Sequence, residues 1–152
     1  MIFSLIYFST TTKPMQQEEL LTLLKDSRSW NETHGITGML LYIRAEIQNV
    51  NQGKFIQVLE GPEGEIRSIF EKIRIDNRHH HLIVLNEANA KKRNFATWTM
   101  GFAAMDGEEY KTNPGYFELN DTFLSNANRQ KLNMPLNFLK SFYTINLSSK
   151  IK

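Results

Sequence analysis

The chain has 152 residues, a length typical of one domain that buries its own core. Hydrophobic residues make up 41% and charged residues 22%, as in ordinary globular proteins. The net charge is only +2, with basic and acidic residues interspersed, which does not indicate a nucleic-acid-binding protein. The sequence lacks cysteine, which excludes disulfides, thiolate nucleophiles, iron–sulfur clusters and the usual structural zinc sites, and a cytoplasmic protein without a membrane span is expected.

The N-terminal part of the chain predicts a strand and then a helix. Residues 2–9, IFSLIYFS, are apolar and rich in strand-forming side chains, and the polar TTTKP ends them. Residues 16–33 predict a helix that ends near Gly35. Four side chains of this helix recur at spacings of 4, 3 and 4 and therefore lie on a single face: Leu20, Leu24, Ser27 and Asn31.

The middle of the chain predicts four further strands and a second helix. Two of the strands, ITGMLLYIR and KFIQVLEG, are separated by AEIQNVNQG, a rather long hairpin connection. An apolar stripe at helical spacing predicts the helix over about residues 63–76, and the basic turn NRHHH follows it. The predicted strands span residues 36–44, 54–61, 82–88 and 98–105.

This order of elements predicts an α+β fold, a ferredoxin-like βαββαββ mixed sheet with two helices on one face. Residues from about 106 onward are less regular: Asp121 predicts the cap of a short helix, Pro135 the start of another through LNFLKSFY, and INLSSKIK a loose tail. These C-terminal helices are expected to pack on the other face. We therefore divide the chain into a domain of residues 1–105 and an extension of residues 106–152.

Five polar or redox-capable side chains occupy positions where the pattern predicts burial. Gln57 is the most informative, because a buried amide must find partners for two N–H groups and a carbonyl oxygen or cost about 1–3 kcal/mol. The other four are Tyr7, Asn31, Trp98 and Met100. Taken singly, each fits an ordinary core: the tyrosine can bond a backbone carbonyl, the asparagine lies at a helix end, and the tryptophan and methionine commonly fill cores.

Other candidate groups have simpler explanations. The consecutive histidines from His79 to His81 cannot gather at one metal ion in helical or alternating geometry, so a solvated turn is expected. The carboxylates Glu60, Glu63 and Glu65 surround a helix start, where the helix dipole favours them. No serine or threonine has a partnered base in the local sequence, so nothing indicates a nucleophilic triad.

Six sequence blocks, in order, resemble the BLUF family of blue-light sensors that use FAD. Together they extend over about residues 2–105. The segment L-K-S-F-Y near the C-terminus also resembles the closing helix of the short, stand-alone members. The blocks are Y-F-S from Tyr7, S-R-S-W-N ending at Asn31, G-I-T-G-M-L-L-Y from Gly35, F-I-Q-V-L-E-G from Phe55, D-N-R-H from Asp76 and F-A-T-W-T-M-G-F from Phe95.

The resemblance implies a set of roles for individual residues. FAD would be held non-covalently between the two helices, with FMN or riboflavin also accepted. Tyr7 and Gln57 would be the photoactive pair, Asn31 would bond the ring-carbonyl region, and Ile73 would pack on the ring plane. The remaining positions near the flavin are Asp76, Arg78 and His79 at the end of the second helix, and Trp98 and Met100 on the strand beside the glutamine.

The resemblance also implies a mechanism. A tyrosine that loses an electron to excited flavin must shed its proton, and Gln57 is placed to relay it. When the charges recombine, the amide is left rotated or as its imidic tautomer, and a stronger hydrogen bond at flavin O4 shifts absorption to the red. Output would pass through the strand of Trp98 and Met100 to the C-terminal helices, as a two-state switch.

Two features depart from the family pattern. Lys72 stands where many members carry an arginine, near the flavin tail, and its position four residues before Asp76 predicts a helix-surface charge pair. The connection of residues 45–53 is longer than is usual in the family. Both departures bear on the pocket edge and the flavin tail, and neither touches the photoactive residues.

We expect a sensor and not an enzyme, because the residues after 105 are too few for a cyclase or a phosphodiesterase. The effector would then be another chain, by analogy a response-regulator-like protein, and self-association into a homo-oligomer is expected. Two other interpretations stay open: a small ferredoxin-like flavin oxidoreductase, for which the sequence offers no acid–base pair, and a light-independent interaction module. The presence of Tyr7, Asn31 and Gln57 counts against the second.

Overall fold

The computed structural model describes residues 1–103, 112–123 and 134–151, which build a six-stranded sheet with helices on both faces. The first seven elements follow the predicted order βαββαββ. The strands are β1 (Ile2–Thr11), β2 (Thr37–Ile47), β3 (Val50–Gly61), β4 (His79–Ala90), β5 (Trp98–Phe102) and β6 (Tyr116–Glu118). The helices are α1 (Gln17–Thr33), α2 (Glu63–Arg74) and α3 (Met134–Ile151), and residues 121–123 are also helical.

The sheet has the split βαβ arrangement of ferredoxin-like folds. Its strand order is β4-β1-β3-β2-β5-β6, in which β3 lies between β1 and β2 and runs antiparallel to both. β5 adds to β2 as a parallel strand. The register places Tyr7 opposite Gln57, Gln57 opposite Leu40, and Leu40 beside Met100. One row of side chains thus crosses four strands in the middle of the sheet.

Alternation along the strands divides the core between the two faces of the sheet. α1 and α2 cover one face, where Leu24 and Ile66 are fully buried. α3 covers the other face and packs Leu139 and Phe142 over β2 and β3. The predicted α+β architecture, with two helices on one face and C-terminal helical chain on the other, is confirmed.

α1 begins and ends within one residue of its predicted bounds. Gln16 and Glu19 form a capping box at its start. At its end Gly35 has a φ of +68°, which lets the chain turn so that the N–H of Ile36 donates to the backbone oxygen of Asn31 at 2.8 Å. The last turn of α1 is thereby held against the start of β2.

The connection between β2 and β3 differs from the prediction. Residues 45–53 are not a long loop, because the two strands continue to Ile47 and Val50, which are paired around a two-residue turn. The turn residues Gln48 and Asn49 have φ values of 51° and 65°, and positive φ at both positions is what a type I′ turn requires. The sequence did not reveal this turn because it lacks the glycine that usually marks one.

Other predicted element ends were also wrong. The three histidines begin β4 instead of forming a turn, and His81 has a φ of 53° where the register with β1 shifts. α2 ends at Arg74, two residues before the predicted end. Asn120, not Asp121, caps the helical residues 121–123, since its Oδ1 accepts the N–H of Thr122 at 2.9 Å.

The C-terminal part is more regular than predicted. The segment INLSSKIK is helical through Ile151, and β6 was not predicted at all, because three residues give no alternation to recognise. β5 ends at Phe102, and the boundary placed between residues 105 and 106 lies outside the described residues. None of the helices in the described ranges is long and apolar enough to cross a membrane.

Candidate functional site

A cavity opens between the sheet and helices α1 and α2. Its volume, counted as the space open to the centre of a water-sized molecule, is about 90 Å³. Most of its wall is apolar, and a few polar groups from the strands and from α1 converge on it. The predicted site residues in its lining are Tyr7, Asn31, Gln57 and Ile73, with Asp76, Arg78 and His79 following α2.

Gln57 is buried at the centre of a hydrogen-bond chain of three residues. Its Nε2 donates to Tyr7 Oη at 2.6 Å, and its Oε1 accepts from Trp98 Nε1 at 2.9 Å. An indole N–H can only donate, so it must face the amide oxygen, and this directs the amide nitrogen toward the phenol. The Tyr7 oxygen then acts as an acceptor and keeps its own proton for another partner. The carbonyl oxygen and one N–H of the buried amide therefore have partners within the protein.

The sheet register brings Trp98 to Gln57 across an intervening strand. β2 lies between β3 and β5, and its Gly38 is the register partner of Trp98. Gly38 has a φ of +150°, and a Cβ there would lie 1.8 Å from the backbone oxygen of Val58, so the position accommodates only glycine. The Trp98 indole spans β2, and its N–H reaches the Gln57 amide.

The environment of Tyr7 keeps its phenol neutral. Burial raises the pKa of Tyr7 above the usual range of a phenol, because the phenolate would lose its hydration. The hydrogen bond from Gln57 opposes this rise, and the carboxylate of Asp76 adds to it. Tyr7 therefore holds its proton in the folded protein throughout the physiological pH range.

Asn31 presents a buried acceptor that no protein group satisfies within the described residues. Its side chain is 3% exposed, it lines the cavity, and its Oδ1 has no hydrogen-bond partner there. The backbone bond from Ile36 fixes the turn of α1 that carries it. A buried acceptor left in this state costs about 1–3 kcal/mol. The observation therefore indicates a ligand with an N–H or O–H donor in the cavity.

An ion pair lies at the outer end of the cavity. Arg78 donates to the Asp76 carboxylate through its backbone N–H at 2.9 Å, its Nε at 3.0 Å and its Nη2 at 2.5 Å. Hydrogen bonding from Arg78 holds the pKa of the Asp76 carboxyl below its usual value, and the same pairing raises the pKa of Arg78. The predicted pair of Lys72 with Asp76 is not formed: the Lys72 Nζ lies 3.7 Å from the centroid of the Trp30 ring, a cation–π contact.

His79 ties the segment after α2 to β1. Its Nδ1 lies 2.8 Å from Ser9 Oγ, and its Nε2 lies 2.5 Å from the backbone oxygen of Ile73. Its ring meets the ring of Tyr7 edge-on, with 6.5 Å between the centroids. Because both ring nitrogens are bonded within the protein, His79 fixes the end of α2 and with it the Ile73 side chain in the lining.

Three of the predicted residues lie outside the lining itself. Trp98 reaches the site through its bond to Gln57, and Met100 is fully buried beside Leu40. Lys72 contacts Trp30, which does line the cavity. Eight further lining residues were not predicted as site residues, although five of them, Ser27, Trp30, Leu40, Phe55 and Leu59, lie within the six sequence blocks. The other three are Met15, Leu23 and Ile69.

Comparison with known proteins matches this chain to a family. Residues 2–101 match the family model described as BLUF, sensors of blue-light using FAD. Photoactivated adenylate cyclase subunit beta of Euglena longa is 33% identical over 98 residues, which make up 64% of this chain. The matched stretch is 10% of that protein, so the chain spans only a small part of the length of this curated relative.

Solved structures share the fold. The dark-state structure of BlrB, a BLUF protein, has a TM-score of 0.63 and 23% identity, over 97% of this chain and 96% of BlrB. BlsA in its photo-activated state has a TM-score of 0.56 and 27% identity, over 97% of this chain and 95% of BlsA. Both likenesses extend beyond residue 101, so they include the C-terminal part of the chain.

Proposed function

This chain belongs to the BLUF family of blue-light sensors that use FAD, and we propose that it is a blue-light receptor switched by the hydrogen-bond chain of Tyr7, Gln57 and Trp98. The amide of Gln57 carries the proposal. It is buried, it is bonded to a phenol at one end and to an indole at the other, and it lines the cavity. An amide has chemically different ends, so a turn of this side chain changes what it offers to a ligand.

The lining residues fit a flavin ring. One edge of that ring carries an N–H between two carbonyl groups, with N5 as a further acceptor beyond them. Asn31 Oδ1, which accepts from no other described residue, suits the ring N–H. The second amide hydrogen of Gln57 and the phenol proton of Tyr7 suit the ring acceptors, and Ile73 supplies an apolar contact. These groups would hold the ring.

We propose FAD as the physiological flavin, with FMN and riboflavin also accepted. The groups that suit the ring all lie within the cavity, so they serve the three flavins alike. The two cations near the outer end are already engaged, Lys72 with Trp30 and Arg78 with Asp76. A phosphate-bearing tail would therefore gain less from them than from free cations.

When bound, the flavin supplies a chromophore that, once excited by blue light, is a strong one-electron oxidant. Tyr7 is the suited electron donor, because an oxidised phenol is far more acidic than a neutral one and passes its proton to a neighbour. Gln57 faces Tyr7 with its NH₂ group, which has no lone pair to take a proton. A proton relay through Gln57 to the ring acceptors would require the amide to turn its oxygen toward Tyr7, which favours a rotated amide over a tautomer formed in place.

Rotation of the amide provides an output, since it breaks the bond to Trp98. Trp98 begins β5, the strand that separates β2 from β6, and α3 packs over β2 and β3. We propose that the altered packing of β5 reaches α3 and is read by a separate chain, a response-regulator-like protein or a second copy of this one. The chain then acts as a sensor, with no reaction of its own.

Absorption spectroscopy of the FAD-loaded protein tests this function. Under blue light the flavin bands should shift to longer wavelength, because the turned amide offers flavin O4 a stronger bond, and they should return in darkness. Gln57→Leu should bind flavin and show no shift. A wild-type spectrum that stays fixed under illumination, with flavin bound, contradicts the proposal. Catalytic bleaching by reduced nicotinamide would favour an oxidoreductase instead.

A further inference from the structure

Glu60 is a fully buried carboxylate on β3 that bonds the loop of residues 91–97, which joins β4 to β5. Its oxygens accept the backbone N–H of Asn94 at 2.9 and 3.0 Å, the side-chain N–H of Asn94 at 2.8 Å and the backbone N–H of Phe95 at 2.9 Å. The expectation that the dipole of α2 accounts for this carboxylate is wrong, because its bonds go to this loop. Such charge-assisted bonds are what a buried carboxylate needs.

Arg93, in the same loop, donates hydrogen bonds to three neighbouring residues. Its Nη1 donates to Thr37 Oγ1 at 2.9 Å and to the backbone oxygen of Glu60 at 3.0 Å, and its Nη2 donates to the backbone oxygen of Gly35 at 2.8 Å. The loop is thus tied to β3, to β2 and to the end of α1. Glu60 takes part through its backbone as well as its side chain.

β3 therefore contacts both ends of the segment of residues 94–98. Gln57 and Glu60 are three residues apart, so alternation puts the amide on the cavity face of β3 and the carboxylate on the other face. Residues 94–98 start at the carboxylate and end at Trp98, whose indole returns to the amide at 2.9 Å. The start of this segment is therefore held at Glu60 and its end at Gln57.

We propose that Glu60 is a positioning residue, which acts through residues 94–97 to hold the Trp98 indole against Gln57 in the dark. The inference rests on the proposed function, in which Gln57 leaves the indole to signal and returns afterwards. With the loop fixed, the indole stays where the returning amide oxygen can accept its N–H. In Glu60→Gln, one amide oxygen would serve three donor nitrogens, and the new NH₂ group would face N–H groups.

Nuclear magnetic resonance of the flavin-loaded protein in darkness tests the proposal directly. The chain has two tryptophans, so two indole N–H signals are expected, and Trp30→Phe assigns them. In Glu60→Gln the solvent exchange of the Trp98 indole N–H should rise about tenfold relative to wild type. Glu63→Gln is the matched control, because this exposed carboxylate at the start of α2 bonds Arg67 and not the loop. Its indole exchange should equal that of wild type.

Recovery after a blue flash gives a second readout. Glu60→Gln should return to the dark spectrum at least about threefold more slowly, because the loop no longer holds the Trp98 indole where the returning amide oxygen can accept its N–H. If Glu60→Gln does not fold, Asn94→Ala removes only the side-chain donor and should give smaller changes of the same sign. Indole exchange equal to wild type in the folded variant overturns the proposal. If instead the wild type shows no light response, the proposed function fails while the dark exchange measurement still decides the role of Glu60.

Discussion

The indole of Trp98 and the amide of Gln57 are joined across an intervening strand, Nε1 to Oε1 at 2.9 Å. Because an indole N–H only donates, this bond determines that the amide presents its nitrogen to Tyr7. The orientation of the amide thus depends on a residue that does not line the cavity. In the proposed mechanism, Trp98 would belong to the switch as much as Tyr7 and Gln57 do.

Trp98→Phe should leave flavin bound and weaken the dark arrangement of the amide. The lost hydrogen bond is worth about 0.5–1.5 kcal/mol, so recovery in darkness should slow several-fold. Flash absorption spectroscopy measures the rate. Trp30→Phe is the control, since Trp30 lines the cavity but makes no bond to Gln57. A Trp98→Phe protein with the wild-type recovery rate would remove the indole from the switch.

Asn31→Leu should have opposite effects on flavin affinity and on the stability of the flavin-free protein. Asn31 Oδ1 has no partner among the described residues, and a buried acceptor in this state destabilises the apoprotein by about 1–3 kcal/mol. Its removal should therefore raise the free energy of unfolding of the apoprotein. Flavin affinity should fall about tenfold or more, because a ring hydrogen bond worth about 1.4 kcal/mol is lost. Urea unfolding and flavin titration measure the two quantities. Lower stability of the apoprotein would show that Asn31 serves the fold alone.

Alkaline pH should destabilise the protein through Tyr7. Its pKa is raised in the folded state, so above about pH 10 the unfolded phenol releases its proton while the folded one retains it. The free energy of unfolding should therefore fall by about 1.4 kcal/mol per pH unit from this group until the folded pKa is reached. Urea unfolding of wild type and Tyr7→Phe between about pH 9 and pH 11 isolates the contribution of Tyr7 to this pH dependence, because the variant has no phenol at residue 7. Parallel curves for the two proteins would contradict a raised pKa.

Lys72 should couple to Trp30 and not to Asp76. A cation–π contact at a partly exposed site is worth about 0.5–1 kcal/mol. A double-mutant cycle of Lys72→Met with Trp30→Leu should return a coupling of about that size, because neither replacement keeps the cation–π contact. The same cycle with Asp76→Asn should return a value near zero, because Asp76 is bonded to Arg78. Coupling of Lys72 to Asp76, with none to Trp30, would instead support the helix-surface charge pair predicted from the sequence.

Periodicity was sufficient to predict the fold and the burial of two lining residues. The 4, 3 and 4 spacing that ends at Asn31 placed this residue on the buried face of α1, and the alternation around Gln57 placed the amide inside the sheet. Both inferences depend on local repeats, which a single sequence contains. The hydrogen bonds of the two residues follow from the tertiary structure and were not deducible from the repeats.

What the sequence did not reveal depends on register and on turns. Trp98 and Met100 alternate onto the same face, so the pattern could not determine which of them reaches Gln57. The tertiary structure determines it, since the parallel pairing with β2 sets Trp98 beside Gly38 and the Trp98 indole bonds Gln57. The turn at Gln48 and Asn49 was missed for a similar reason, since its positive φ values occur without glycine.

Blue-light difference spectroscopy of Tyr7→Phe tests the central claim most directly, with Tyr42→Phe as the matched control. Tyr42 is also buried, on β2, but its hydroxyl accepts from the backbone N–H of Met15 and does not bond Gln57. We predict that flavin-loaded Tyr7→Phe shows no light-induced shift of its bands, while Tyr42→Phe shifts and recovers like wild type. A full, reversible shift in Tyr7→Phe would contradict the account.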